Sequence, residues 1–133
     1  HYKNTPQFLT IDEFKNISTK LQRVEFKHCD FRDAIRRVKS DDFMYLDPPY
    51  APETKTSFVG YTKDGFGLKD HETLFEMTKA SGAQFVMSNA GVDLVRRTFD
   101  DYKISDVKAR RSINSKNPES TTTEVIVSSC HPK

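Results

Sequence analysis

Phe43-Met44-Tyr45-Leu46-Asp47-Pro48-Pro49-Tyr50 is the stretch from which the rest of the chain can be organised. Its apolar start follows the polar Ser40-Asp41-Asp42 and reads as a short strand, apolar on both faces and buried in a sheet. The strand stops at an acid, a pair of prolines and an aromatic. Proline cannot donate to a sheet ladder, and each proline pushes its predecessor out of the helical region. Asp47 and Pro48 are therefore expected to be extended, just past the carboxyl end of the strand. That edge is where open α/β sheets bind ligands.

Such a turn suits one kind of chemistry. Asp47 offers carboxylate oxygens, and Pro48 offers a carbonyl on a stiff backbone. Together they can accept both hydrogens of an amino group held between them. Tyr50 adds a flat ring on which a planar base can stack. The amine of an aromatic ring is a poor nucleophile because its lone pair is delocalised. Acceptors on both its hydrogens favour the tetrahedral nitrogen that attacks an electrophile, a stabilisation by preorganised dipoles. The bland alternative is a proline turn carrying a surface acid.

Working outward towards the amino terminus, Asp30 follows a run, Val24 to Cys29, that alternates apolar and polar residues and reads as a strand. Asp30 can cap a short helix whose Ala34, Ile35 and Val38 share a face. Alternatively, Asp30-Phe31 stands at a second carboxyl edge beside the Asp47 turn, the acid accepting from an amine and Phe31 covering an apolar ring. Further upstream, Thr10 and Glu13 have capping-box spacing, and Leu9 with Phe14 has that of a hydrophobic staple. Ile11, Phe14, Ile17 and Leu21 then form an apolar stripe at helical period. Arg32, Arg36, Arg37 and Lys39 read as a solvated helix face.

Towards the carboxyl terminus, the polar segment from Ala51 to Gly67 is long for a loop in a small domain, which points to a functional segment. Phe58, Tyr61 and Phe66 interrupt it, either as core anchors or, for Tyr61, as the wall of a base pocket. A helix is predicted from about Leu68 to Ser81, with His71, Leu74, Phe75 and Thr78 on one face and Gly82 as its stop. His71 has no acid or second ligand at catalytic spacing and reads as a surface or partly buried helix residue. Gln84 to Ser88 reads as a buried strand, followed by a short helix around Leu94, Val95 and Phe99. Tyr102 to Val107 and Thr122 to Ser128 are strands with no helix between them and should pair as a hairpin. Between them, Lys108, Arg110, Arg111 and Lys116 mark a basic loop suited to phosphate contacts, which add affinity but little sequence information. Strand–helix alternation predicts a mostly parallel, doubly wound α/β sheet with an antiparallel final strand.

Composition narrows the class. The chain has 133 residues, enough for one small domain, with 35% hydrophobic residues and a net charge of +2. Its mean hydropathy of −0.69 lies at the polar end of globular proteins. No apolar run approaches the roughly 18 residues of a membrane span, and no signal peptide opens the chain. Cys29 and Cys130 suggest reduced thiols in a cytoplasmic protein rather than a disulfide framework, and no His/Cys cluster has metal-ligand spacing. Charge alone does not announce a nucleic-acid binder, so local patches would have to carry that function.

The series Tyr45-Leu46-Asp47-Pro48-Pro49-Tyr50-Ala51-Pro52, then Phe58, Tyr61 and Phe66, then Ser88-Asn89, then Arg110-Arg111-Ser112-Ile113 resembles the Dam-type DNA adenine-N6 methyltransferases. The resemblance runs from His1-Tyr2-Lys3 to about Val127. It implies a Rossmann-like sheet that uses S-adenosylmethionine, yields S-adenosylhomocysteine and needs no metal. It also implies that an adenine flipped out of double-stranded DNA is held by Asp47, Pro48, Pro49 and Tyr50, with Tyr61 near the base. Asp30 and Phe31, with Asp47, would lie near the cofactor's adenosine, and Arg110, Arg111 and Lys116 would contact DNA. Related tetrapeptides serve cytosine-N4, RNA and glutamine-amide methylation, and an inactive DNA- or partner-binding remnant is the non-enzymatic alternative. The Phe-x-Gly-x-Gly turn, the following acid and most of a target-recognition domain are absent from residues 1–133. The chain is therefore expected to be the carboxyl-terminal half of such a catalytic domain, with an unpaired sheet edge open to an amino-terminal half.

Overall fold

In a computed structural model, which describes residues 9–52, 65–110 and 121–129, the order of elements is α1 (Ile11–Leu21), α2 (Phe31–Ile35), β1 (Phe43–Leu46), α3 (Leu68–Ala80), β2 (Gln84–Ala90), α4 (Asp93–Thr98), β3 (Lys103–Arg110) and β4 (Thr121–Ser128). The strands form one sheet in the order β1-β2-β4-β3. β1 pairs with β2 in parallel, Leu46 opposite Met87. β4 pairs antiparallel with both β2 and β3. The sheet is thus not mostly parallel as the alternation predicts. β1, β2 and β3 all run the same way, but the expected β3–β4 hairpin inserts β4 between β2 and β3, so only the β1–β2 contact is parallel.

The core forms where the apolar period of each element meets a partner. Phe85 and Met87 on β2, Val125 and Val127 on β4, Leu74 and Phe75 on α3, and Val95 with Phe99 beyond α4 are all buried. Phe99 packs edge-on against Phe75 with ring centres 5.1 Å apart and against Tyr102 at 5.5 Å. Burying each such side chain contributes about 1.5–3 kcal/mol. The predicted face of α3 is the buried one, with His71, Leu74, Phe75 and Thr78 all inside. The helix ends where Ser81 caps it, and Gly82 follows at φ +67°, a conformation that side chains with a Cβ rarely adopt. At Gly91 the chain leaves β2 so close to β4 that an added Cβ would lie 3.1 Å from the Thr123 carbonyl oxygen.

Three expectations are corrected. Val24 to Cys29 forms no strand: these residues are exposed, Phe26 at 78%. No described strand offers them a ladder, and an extended segment cannot satisfy its own backbone groups as a helix does. β1 is not buried on both faces: Met44 is buried, but Phe43 and Tyr45, which share the opposite face, are exposed because that face of β1 is left uncovered. His71 is not at the surface but 1% exposed, with the ring of Phe66 edge-on at 4.7 Å.

α1 presents the opposite case. Its capping box forms as read: the Glu13 carboxylate accepts from the Thr10 N–H at 2.7 Å, and the Thr10 hydroxyl accepts from the Glu13 N–H at 3.3 Å. No residue of α1 is buried, and Ile11, Phe14, Ile17 and Leu21 all face outward.

Candidate active site

The parallel register decides what surrounds Asp47. With Leu46 opposite Met87, the next residues on each strand, Asp47 and Ser88, are neighbours at the carboxyl edge. Ser88 is buried, and its hydroxyl donates to Asp47 Oδ1 at 2.6 Å. Asp47 itself is exposed, and Oδ1 is the carboxylate oxygen that Ser88 holds. The turn is pinned again at its far end. Asn89, fully buried, accepts from the Ala51 N–H at 2.8 Å through Oδ1, which also accepts from the Ala90 N–H at 2.9 Å. Between these points the Tyr50 hydroxyl donates to Glu124 Oε2 at 3.2 Å. Glu124 sits there because β4 pairs it with Ala90. Burial pushes the Tyr50 phenol up; Ser88 opposes the shift, and the Glu124 and Asp47 carboxylates add to it. Tyr50 is therefore a neutral hydrogen-bond donor at neutral pH.

Asp47, Pro48 and Pro49 form one side of a cleft of about 220 Å³, completed by Phe31, Tyr45, Leu46, Phe66 and Leu74. Small-molecule sites usually span about 300–1,000 Å³, so the cleft fits part of a ligand, such as one planar ring, rather than a whole dinucleotide-sized molecule. Phe31 and Phe66 provide aromatic walls, their ring centres 5.6 Å apart and tilted by 57°. These walls are held by an ionic clasp. Arg32 of α2 bonds Asp30 at 3.1 Å and also Asp70 of α3, and its guanidinium lies 4.4 Å from the Phe31 ring centre. The Gly67 N–H, 3.0 Å away, and then the Arg32 guanidinium hold the Asp70 carboxyl below the usual carboxylate range.

The structure thus brings Phe31 and the Asp47-Pro48-Pro49 edge together in one cleft. Tyr50 is not on that cleft; it turns towards β4. Asp30 caps α2, accepting from the Arg32 N–H at 2.8 Å, and does not line the cleft, so the capping role is the one its side chain performs here. Arg110 is the last residue of β3, paired with Thr121. Tyr61, Phe58, Arg111, Ser112, Ile113 and Lys116 lie outside the described residues. Sequence reasoning gave no role to Ser88, Asn89 or Glu124. The available signal was Ser88-Asn89 itself, polar residues closing an otherwise apolar strand. Glu124, in contrast, reads as an ordinary outward residue until its register with β2 is known. Among the described residues no group of His, Cys, Asp and Glu could hold a metal ion, and no helix is long and apolar enough to cross a membrane.

The apolar Phe31–Phe66 walls beside a carboxylate suit the adenine ring of S-adenosylmethionine and a polar group at its edge.

Comparison with known proteins gives the same direction. The family model for D12 class N6 adenine-specific DNA methyltransferases matches residues 1–113. A Type II methyltransferase of Lactococcus lactis subsp. cremoris is 31% identical over 133 residues, 95% of this chain and 46% of the relative. A DNA adenine methylase of Haemophilus influenzae is 34% identical, covering 81% of this chain and 39% of the relative. A Type II methyltransferase of Methanocaldococcus jannaschii is 35% identical, with 86% and 41% covered. The chain spans less than half the length of these curated relatives.

Proposed function

Because this chain belongs to the D12 class N6 adenine-specific DNA methyltransferase family, we propose that the full-length protein methylates adenine N6 in double-stranded DNA and that this chain carries the amine-activating half of its site. The observation that supports this most is the exposed Asp47 carboxylate, held on one oxygen by Ser88 at 2.6 Å and lining the cleft. Asp47 Oδ2 and the Pro48 carbonyl accept the two hydrogens of the adenine amino group, drawing its lone pair out of conjugation. S-adenosylmethionine, when bound, supplies the methyl group on a sulfonium and makes a metal unnecessary. Phe31 with Phe66 walls its adenine ring, and Asp47 flanks both ligands. Tyr50 stacks on the target base, which must leave the duplex to be reached. Arg110, Arg111 and Lys116 contact phosphates, and Tyr61 borders the base pocket. The cytoplasm, where the DNA is, is the setting for this reaction.

Among the described residues β1 is the edge of the sheet, and this edge with the outward apolar face of α1 fits a role for an amino-terminal portion in completing the sheet and the cofactor site. Asp47→Ala in the full-length protein should abolish methyl transfer, by at least about 10²-fold as for loss of one preorganised polar group, while leaving the fold intact. Product nucleosides from a methylated DNA digest should contain N6-methyladenine. Methylcytosine in its place would transfer the reading to another acceptor, and full activity of Asp47→Ala would remove the assigned mechanism.

A further inference from the structure

We propose that Ser88 and Glu124 are positioning residues of the methyl-transfer site: Ser88 fixes the rotation of the Asp47 carboxylate, and Glu124 fixes the direction in which the Tyr50 side chain points. This rests on the reading of Asp47 as the group that holds the amine and of Tyr50 as the ring under the base.

Asp47 is exposed, and among the described residues Ser88 is the hydrogen-bond partner of its carboxylate. An exposed carboxylate samples several rotamers, and only those that align one oxygen with the Pro48 carbonyl can take both amino hydrogens at once. Ser88 is 6% exposed and rooted in β2, so its hydroxyl is a rigid reference point. Its single proton goes to Asp47 Oδ1 at 2.6 Å. That bond occupies one oxygen and directs Oδ2 to the amine. Tyr50 poses the same problem for a ring. A tyrosine side chain free at its hydroxyl turns about χ1, and a base can stack on it only where the ring stays in one place. The bond to Glu124 Oε2 at 3.2 Å ties the ring tip to β4, across 74 positions of sequence. Neither Ser88 nor Glu124 lines the cleft, so both act through Asp47 and Tyr50 rather than on a ligand.

The test uses the full-length protein with unmodified duplex DNA for the methyl-transfer rates and, for fluorescence alone, the same duplex with 2-aminopurine at the target position. Ser88→Ala should lower single-turnover methyl transfer about 10- to 100-fold with little change in KM for DNA, because a misaligned group costs the transition state rather than binding. Ser88→Thr, which keeps the hydroxyl, should restore most of the rate; it also separates loss of the hydrogen bond from loss of folding. Glu124→Ala should change the stacked-base fluorescence, and Glu124→Gln, which keeps an acceptor oxygen, should change it less. In a double-mutant cycle, Glu124→Ala should add nothing once Tyr50→Phe has removed the hydroxyl. A Ser88→Ala rate equal to wild type, or full additivity of Glu124→Ala with Tyr50→Phe, overturns the proposal. If Asp47→Ala is inactive while Ser88→Ala is fully active, only the positioning roles fail. If Asp47→Ala is itself active, the underlying assignment fails first.

Discussion

α1 and α3 are both well-formed amphipathic helices, yet one is wholly exposed and the other is half of the core. α1 has the better start, a complete capping box on Thr10 and Glu13. α3 begins at Gly67 with a bond from its N–H to Asp70. What separates them is the partner. The apolar face of α3 meets α2, and its Phe75 packs on the Phe99 ring that also touches Phe85, whereas the apolar face of α1 meets solvent. Local signals set whether a helix forms and where it begins. Only burial against another element turns that helix into stability, since most helical stability in proteins comes from packing of the apolar face.

That contrast can be broken by mutation. Phe99→Ala should destabilise the chain most, by about 3–5 kcal/mol, because it removes a ring with no exposure from between Phe75, Phe85 and Tyr102. The urea midpoint measures it, and a shift under 1 kcal/mol would mean that this cluster is not the core. Asn89→Ala should cost about 1–3 kcal/mol by leaving the Ala51 N–H unpaired inside the protein, with Asn89→Asp, which keeps an acceptor, behaving differently. Thermal melts of the two variants side by side test whether the acceptor or the volume matters.

Acid should weaken the α3 side next. Burial pushes the His71 imidazole down from its ordinary 6.5, with neighbouring Asp70 opposing, and neither ring nitrogen has a hydrogen-bond partner among the described residues. Below that pH the unfolded chain takes up a proton that the folded chain refuses, so stability falls as pH falls and is level above it. The slope for one proton is at most about 1.4 kcal/mol per pH unit. Asp70, held below 3.8 by Gly67 and Arg32, adds a loss of the same sign only further into acid. Urea midpoints between pH 7.5 and 5 should decline in the wild type and flatten in His71→Leu; an equal decline in both would acquit the histidine. Phe14→Ala should change least, within about 0.5 kcal/mol, the range of surface substitutions. If addition of an amino-terminal portion raises that penalty to the scale of Phe99→Ala, the face of α1 has found its cover.

Much of the molecule is legible in the sequence wherever a signal is local. The α1 cap, the α3 face, the stop at Gly82 and the β3–β4 hairpin all follow from residues within a few positions of one another. The Asp47-Pro48-Pro49-Tyr50 turn is legible for the same reason. Readings that depended on a distant neighbour fared worse. Val24 to Cys29 carries strand alternation but has no ladder to join. Phe43 and Tyr45 look buried until their face of β1 is known to have no cover. Glu124 stands beside Tyr50 only because β4 inserts where it does. A side chain's period is written in the sequence, but the identity of the surface it meets is not.

The strand order also bears on how the chain is made. β4 lies between β2 and β3 although it follows both in the sequence. As the polypeptide leaves the ribosome, β2 and β3 emerge with facing edges that cannot close on each other. They wait for residues 121–128, a few seconds at roughly 5–20 residues per second. During translation that interval leaves the Val86-to-Ala90 edge open to foreign strands, a window in which a chaperone has something to guard.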